Sequence, residues 1–255
     1  MSGRFLVGAL TDAFSWRAAL LVVGVLAALL GVAFMWLLPP SRHFQPRAFE
    51  PRALALSLVA RLRDPGLLLL YAAGFLAMGS FITVYNYISF RLVAAPYHLS
   101  QTLVGGIFVI YLVGTFSSTW MGRLADRIGR RQTLWMGPAL MLAGLAVTLF
   151  LPLALVLLGV AIFTFGFFAT HSIATSWVGK RALTGKAQAS ALYFFFYYTG
   201  SSVVGATGGF AWSSYHWPGV VAMLSALVVL ALGVALLLRR IPPVALATPA
   251  ASAAA

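Results

Sequence analysis

The segment GRLADRIGRR, residues 122–131, is followed by 48 residues without a charged side chain, Gln132 to Gly179. About 20 apolar residues in a helix span the roughly 30 Å hydrocarbon core of a bilayer, so this stretch is long enough for two crossings. Pro152 marks the division between them. A second uncharged stretch, Ala187 to Leu238, divides at the turn-like residues 212–219. Together the two stretches predict four membrane-crossing helices.

The rest of the chain extends this pattern to seven crossings. Of the 255 residues, 62% are apolar and 8% are charged, whereas soluble domains carry about 25% charged residues. A surface so poor in charge is typical of a protein solvated by lipid. We therefore predict an all-α polytopic membrane protein. The predicted spans are 18–38, 67–90, 102–121, 133–151, 153–176, 188–211 and 220–238.

The basic residues predict the orientation of these helices. Fourteen of the 17 lysines and arginines fall in one alternating set of connections, and three fall in the other. Short loops rich in Lys and Arg stay cytoplasmic, which places the C-terminus inside. The same topology accounts for the net charge of +13, which in a soluble protein would indicate a nucleic-acid partner. We expect the lipid bilayer, and no nucleic acid, as the partner of these charges.

The segment at 122–131 carries more than positive charge. Two glycines permit a crowded or left-handed backbone, and Asp126 can pair with Arg130 four residues later. The segment resembles the loop signature of the major facilitator superfamily, a family of membrane transporters. The matching residues are Gly122, Leu124, Asp126, Arg127, Gly129, Arg130 and Arg131. Residues 15–17, 79–88, 167–172 and 193–202 also resemble bacterial inner-membrane efflux-type members of the family.

The resemblance implies a division of the chain into four parts. Residues 1–38 would be the end of helix five and helix six of the N-terminal half, and 39–66 the central cytoplasmic loop with an amphipathic helix. Residues 67–240 would form the C-terminal six-helix bundle, and 241–255 a disordered tail. The first five helices of the fold would then lie outside this chain. We expect the isolated chain to insert into the membrane but not to transport.

The resemblance also implies a function. It indicates a secondary active transporter that works by alternating access in the bacterial inner membrane, exporting small organic molecules such as sugars or drugs by proton antiport. No cofactor is implied. The four histidines do not have the spacing of a metal site, and Cys is absent. All four acidic residues lie outside the predicted spans, so a carboxylate that couples transport to protons would lie in the N-terminal part.

Polar and aromatic residues at mid-depth are the candidates for a substrate pathway. His171 can contact a proton or a substrate, or it can be a neutral side chain hydrogen-bonded between helices. The other candidates can line a path for weakly polar substrates or pack between helices. They are Tyr85, Asn86, Tyr111, Tyr197 and Tyr198.

Small residues four apart predict close helix packing at two places. One set is Gly114, Ser118 and Gly122, and the other is Ser201, Gly205 and Gly209. Within 46–63, leucines four apart beside two arginines predict a short amphipathic helix on the cytoplasmic surface.

Three other functions fit the sequence less well. A retinal-type receptor needs a lysine inside a helix, but Lys180 and Lys186 lie in a predicted loop. An intramembrane enzyme needs a nucleophile–base or metal constellation, which no predicted span contains, so we expect no enzymatic activity. A half-transporter or non-transporting subunit that needs a partner chain, such as the missing N-terminal half, remains the main alternative.

Overall fold

The computed structural model describes residues 2–39 and 50–242, and every regular element in these ranges is helical. Most of the predicted tail and much of the predicted central loop therefore lie outside the described residues. The helices are α1 (Ser2–Ala13), α2 (Trp16–Leu37), α3 (Pro51–Leu62), α4 (Pro65–Val93), α5 (Gln101–Gly106), α6 (Tyr111–Ile128), α7 (Arg130–Thr133), α8 (Met136–Val147), α9 (Leu153–Arg181) and α10 (Lys186–Arg240).

Five stretches of the described chain are long and apolar enough to cross a bilayer. They are Trp16–Leu37, Pro65–Val93, Gln101–Ile128, Leu153–Arg181 and Lys186–Arg240. In the third, α5 continues into α6 through a 3-10 turn, Ile107–Ile110. These stretches contain or overlap six of the seven predicted crossings, because the last of them includes two. The all-α membrane fold is thus confirmed.

The last stretch consists of two helical arms. A straight helix of 55 residues would be about 80 Å long, far more than a bilayer requires. At His216 the backbone leaves the helical region, with φ 51° and ψ −144°. Pro218 follows in the first turn of the second arm, where a missing N–H costs no helical hydrogen bond. The predicted loop at 212–219 is therefore shorter in the structure, where the break is at His216.

The predicted crossing at 133–151 is the one that differs most from the expectation. Its region is divided into two short helical segments, α7 and α8, by Leu134 and Trp135, both of which have right-handed helical dihedrals. Pro138 has no N–H to donate to the Leu134 carbonyl, and its ring clashes with that carbonyl in a regular helix. The regular hydrogen-bond pattern is consequently interrupted at this point, although the backbone keeps its helical course. Helix α8 has 12 residues, so neither part alone spans a bilayer.

The helix bundle is built on three long helices. Helix α4 packs along α10, and α9 packs against α4, α6 and α8. Their shared core buries large side chains such as Tyr71, Tyr85, Phe163 and Phe167. Helix α2 is mostly exposed, whereas α1 packs on α5. At that contact the Thr102 N–H donates to the Asp12 carboxylate over 2.7 Å. Hydrogen bonds from the hydroxyl and N–H of Thr102 lower the pKa of Asp12.

Candidate functional site

Aromatic side chains from four helices meet inside the bundle. We call this group the aromatic array. Its members contact one another ring to ring, from the core to the surface of α10. They are Phe81, Tyr85, Phe108, Tyr111, Phe163, Phe167, Phe168, His171, Tyr193, Phe194, Tyr197 and Tyr198. The array includes five of the six residues that the sequence nominated for a substrate pathway.

Tyr85 lies at one end of the array and is buried. Its ring meets the Tyr111 ring edge to face, with centroids 4.6 Å apart. The hydroxyl groups of Tyr85 and Thr164 form a hydrogen bond of 2.7 Å, which joins α4 to α9. A buried phenol is costly unless its hydroxyl is paired, so this bond fixes the orientation of the ring.

His171 lies toward the other end of the array. Its Nδ1 is 3.1 Å from the Tyr193 hydroxyl, and its ring centroid is 4.8 Å from that of Tyr197. These contacts join α9 to α10. The hydrogen bond to Tyr193 is the interhelical contact that the packing interpretation of His171 expects. The partly exposed ring also remains close enough to Tyr197 for both to contact one bound molecule.

Two phenylalanines connect the ends of the array. The Phe81 and Phe167 rings stack with centroids 3.8 Å apart. Phe81 is 4.9 Å from Tyr85, and Phe167 is 6.0 Å from His171. Neither was nominated from the sequence, because neither side chain carries a polar group. Each precedes a nominated residue by four positions, and this spacing places the two residues on one face of a helix.

The array reaches the surface on α10. Tyr198 is 60% exposed and Phe194 is 41% exposed, whereas Tyr197 between them is buried. Tyr198 meets Tyr197 edge to face, with centroids 5.2 Å apart. A shallow cavity of about 480 Å³ lies beside the two exposed rings. The array therefore presents aromatic surface at one edge.

Asn86 lies away from the array. It lines a cavity of about 1200 Å³ between α1, α2, α4 and α5. Polar groups in its wall come from Thr11, Asn86, Ser89 and Gln101, with aromatic surface from residues such as Phe108. No charged side chain is among the described residues of this wall. Phe108 also contacts Tyr85 at 5.2 Å, so the cavity adjoins the array at one end.

The signature segment is more helical than the sequence indicated. Helix α6 continues through Ile128, and the turn is confined to Gly129, where φ is 96°. Of the two glycines in the segment, only Gly129 adopts a backbone that disfavours a side chain. Gly122 has space, because an added Cβ would be 3.9 Å from the Ser172 hydroxyl.

The charged residues of the segment contact each other and α9. Asp126 pairs with Arg130 at 2.8 Å, as the spacing of four predicts. Lys180 also approaches Asp126, at 3.8 Å. The Arg130 Nε donates to the Ser176 hydroxyl over 2.7 Å. The pairs thus connect the end of α6 with the end of α9. Leu124 packs on the core, and Arg127 is exposed.

Two sets of hydrogen bonds that join the ends of α4 to neighbouring helices were not predicted, and we call them polar clamps. Near the first residue of α4, Asp64 accepts hydrogen bonds from the Leu67 N–H at 2.9 Å and from the Arg181 Nε at 2.7 Å. At the opposite end of α4, Arg91 donates to the carbonyls of Thr148 and Phe150, just beyond the C-terminus of α8. A cation is favourable at a helix C-terminus.

A sequence profile of the Major Facilitator Superfamily matches residues 1–206. The chain is 50% identical over 240 residues to the inner membrane transport protein YnfM of Escherichia coli (strain K12), covering 94% of this chain and 58% of YnfM. It is 45% identical over 230 residues to the uncharacterized MFS-type transporter YybF of Bacillus subtilis (strain 168), covering 90% of this chain and 57% of YybF.

The chain thus spans little more than half the length of these two relatives. Both are named as transporters, which agrees with the prediction that the chain is not an enzyme. The apolar helices and the relatives together indicate a multi-pass membrane protein. By the extent of the profile match and the identity to these relatives, the chain belongs to the Major Facilitator Superfamily.

Proposed function

We propose that the chain provides the C-terminal bundle of a secondary transporter that exports small organic molecules by alternating access and proton antiport. In this proposal, residues 1–38 belong to the N-terminal half and 67–240 form the C-terminal bundle. The bacterial inner membrane is the location and the C-terminus is cytoplasmic. The observation that carries the proposal is the aromatic array, which four helices of a Major Facilitator Superfamily chain build together.

The chemistry of the array favours uncharged or weakly polar substrates. Aromatic walls with a few polar groups are typical of sites for such ligands. The four carboxylates of the sequence, Asp12, Glu50, Asp64 and Asp126, are all outside the array. The wall of the cavity beside Asn86 likewise consists of uncharged groups. An organic cation would find no counter-ion in either place, so we expect neutral molecules with an aromatic or apolar part.

His171 is the group of the array that we propose for proton coupling. An imidazole can be neutral or protonated, whereas the other polar members of the array are tyrosines. A proton on His171 would alter its hydrogen bond to the Tyr193 hydroxyl and its contact with Tyr197. Protonation and substrate binding would thus act on the same contacts.

Transport is tested in inside-out vesicles that carry a pH gradient. One set holds the chain alone, and a second holds the chain together with the portion of YnfM that the alignment does not cover. We expect accumulation of neutral aromatic dyes in the second set and not in the first, since alternating access requires two bundles. Accumulation by the chain alone would contradict the need for a second bundle. Absence of transport for all dyes in both sets would contradict the proposed function.

Tyr197→Ala is expected to reduce dye transport in the active set by about tenfold, because an aromatic contact contributes about 0.5–1.5 kcal/mol beyond its buried area. The measurement is the initial rate of accumulation at equal protein amount. Phe210→Ala, at a 78% exposed position of the same helix, is the control and should retain the wild-type rate. An equal loss of the accumulation rate in Tyr197→Ala and Phe210→Ala would show that the array does not contact substrate.

His171→Gln is expected to abolish the dependence of transport on the pH gradient while equilibrative dye exchange continues. Glutamine can hydrogen-bond to Tyr193 but does not take up a proton in this pH range. The two rates are measured in the same vesicles, with and without a protonophore. If exchange and gradient-driven transport fall together, His171 has a packing role, as the alternative interpretation of its sequence position holds.

A half-transporter that pairs with a separate chain is the second candidate. It is favoured by α2, which is mostly exposed in the described part of the chain. Purification of the tagged chain from its native membrane distinguishes the two candidates. A stoichiometric second chain with apolar helices of its own would support the half-transporter.

A further inference from the structure

A basic cavity of about 390 Å³ lies where α6 and α9 end and α7 begins. It is separate from the aromatic array and from the cavity beside Asn86. Its wall is formed by residues at both sides of the Gly129 turn and by the last turn of α9. These residues are Ile128, Gly129, Arg130, Arg131, Gln132, Trp177, Lys180 and Arg181.

Positive charge exceeds negative charge in and around this cavity. Four of its eight lining residues are cationic. Among the described contacts, Asp126 pairs with Arg130 and Lys180, and Asp64 pairs with Arg181. A fifth cation joins them, because the Arg239 Nη2 donates to the Gln132 side chain over 3.1 Å. Two carboxylates do not balance five cations, so the cavity favours an anion.

The surroundings of the cavity are those of a membrane interface. Ile128 at its edge is 49% exposed, as expected for a side chain that faces lipid. Two indoles lie nearby: Trp177 lines the cavity, and the Trp135 Nε1 donates to the Gln132 carbonyl over 2.8 Å. Tryptophan is enriched at the level of the lipid headgroups. The basic loops place this end of the bundle at the cytoplasmic leaflet, where anionic lipids attract juxtamembrane cations.

We propose that this cavity binds the headgroup phosphate of an anionic phospholipid, such as phosphatidylglycerol. Arg131 and Lys180 are the principal phosphate contacts, because Arg130 and Arg181 hold carboxylates at 2.8 Å and 2.7 Å, whereas Lys180 approaches Asp126 only at 3.8 Å. The Lys180 side chain is 65% exposed, which leaves its ammonium accessible to a lipid. A bound phosphate would connect the end of α9 with the Arg131 side of the turn.

The proposal is tested by titrating short-chain phosphatidylglycerol into the full chain in an uncharged detergent. The readouts are the Tm and the apparent Kd. We expect phosphatidylglycerol to raise the Tm more than phosphatidylcholine does, since the two share the phosphate but differ in net charge. Arg131→Gln and Lys180→Gln should each weaken the apparent affinity about fivefold, the effect of one basic residue at an anionic surface.

Matched controls remove the same charge outside the cavity. Arg123→Gln and Arg127→Gln lie in the same segment, and each should change the affinity less than twofold. An equal effect of all four variants would indicate diffuse attraction and overturn the proposal. So would equal Tm shifts with both lipids, or equal binding of inorganic phosphate, which would identify a site for free anions. If Arg131→Gln does not purify, Lys180→Gln at its exposed position decides the result.

Discussion

Gly166→Val is expected to prevent α8 and α9 from packing as they do in the wild-type chain. A Cβ at Gly166 would be 2.5 Å from the Gly137 carbonyl oxygen and 2.7 Å from the Met141 nitrogen. Both are backbone atoms of the facing segment, so no side-chain rotation relieves the clash. Overpacking of side chains costs about 1–3 kcal/mol, and a clash with backbone costs more. Against a typical stability of about 5–15 kcal/mol, we expect a loss of over 3 kcal/mol.

The measurement is unfolding of the detergent-solubilised chain by heat or by SDS, together with the yield of monodisperse protein. Gly233→Val is the matched control, since nothing lies within 4 Å of a Cβ added there. It adds the same atoms to a membrane-spanning helix and should change stability by less than about 1 kcal/mol. If both variants unfold at the wild-type midpoint, the close approach of α8 and α9 is not present in the native protein.

The contact between α8 and α9 at Gly166 could not be predicted from residue spacing alone. Small residues four apart predicted close packing at Gly114, Ser118 and Gly122 and at Ser201, Gly205 and Gly209. At the contact between α8 and α9, the glycines in close backbone contact are seven apart, Gly137 with Gly144 and Gly159 with Gly166. Seven residues are nearly two helical turns, so this spacing also keeps one face toward a neighbour. Which spacing is used depends on the crossing geometry of two helices, and a single sequence does not contain that geometry.

The membrane-spanning helices were predictable because a single physical requirement determines where they occur. A segment in hydrocarbon must be apolar and must satisfy its own backbone hydrogen bonds, so the uncharged stretches indicated the spans. The interruption of the hydrogen-bond pattern before α8 was not predicted, although Pro138 is visible in the sequence. A proline inside a membrane helix can kink it or divide it, and neighbouring groups decide between these outcomes.

The aromatic array was predicted in part. Tyr85 and His171 drew attention because a polar group inside a span needs a partner. Their partners, Thr164 and Tyr193, lie on other helices at large sequence separations and could not be identified. Phe81 and Phe167 fall in the resembling stretches 79–88 and 167–172, but they have no polar group that would nominate them for a substrate pathway. Asn86 was grouped with the tyrosines by its depth in the predicted span. The direction in which it projects depends on the rotation of α4 about its axis, which the sequence does not give.

Asp64→Asn is expected to destabilise the folded chain by about 2 kcal/mol, although asparagine can still cap α4. Asp64 accepts a hydrogen bond from the Leu67 N–H, which an asparagine oxygen can replace. The substitution removes the negative charge that pairs with Arg181, whose side chain is only 8% exposed. A cation left in such a place without its partner is costly. Asp64→Ala should lose about a further 1 kcal/mol, because the cap is lost too.

Lowering the pH should produce the same loss in the wild-type chain. Partial burial acts to raise the pKa of Asp64, but the hydrogen bonds from Arg181 and Leu67 and the charge of Arg181 outweigh it, so the net shift is downward. A carboxylate with a lowered pKa contributes stability above its unfolded pKa of about 3.9, and the contribution is lost as pH falls through the folded value. The stability difference between wild type and Asp64→Asn should therefore shrink between pH 5 and pH 3.

Asp126→Asn provides the contrast that assigns the effect to burial. Asp126 also pairs with a cation at 2.8 Å, but its side chain is 64% exposed. An exposed pair four residues apart on a helix contributes about 0.3–0.5 kcal/mol. Unfolding midpoints measured at pH 7, 5 and 3 should thus separate the two variants, with the large and pH-dependent loss confined to Asp64. Parallel pH profiles for wild type and Asp64→Asn would show that the clamp between α4 and α9 does not stabilise the bundle. A loss in Asp126→Asn as large as that in Asp64→Asn would instead show that the signature carboxylate is enclosed in the native protein.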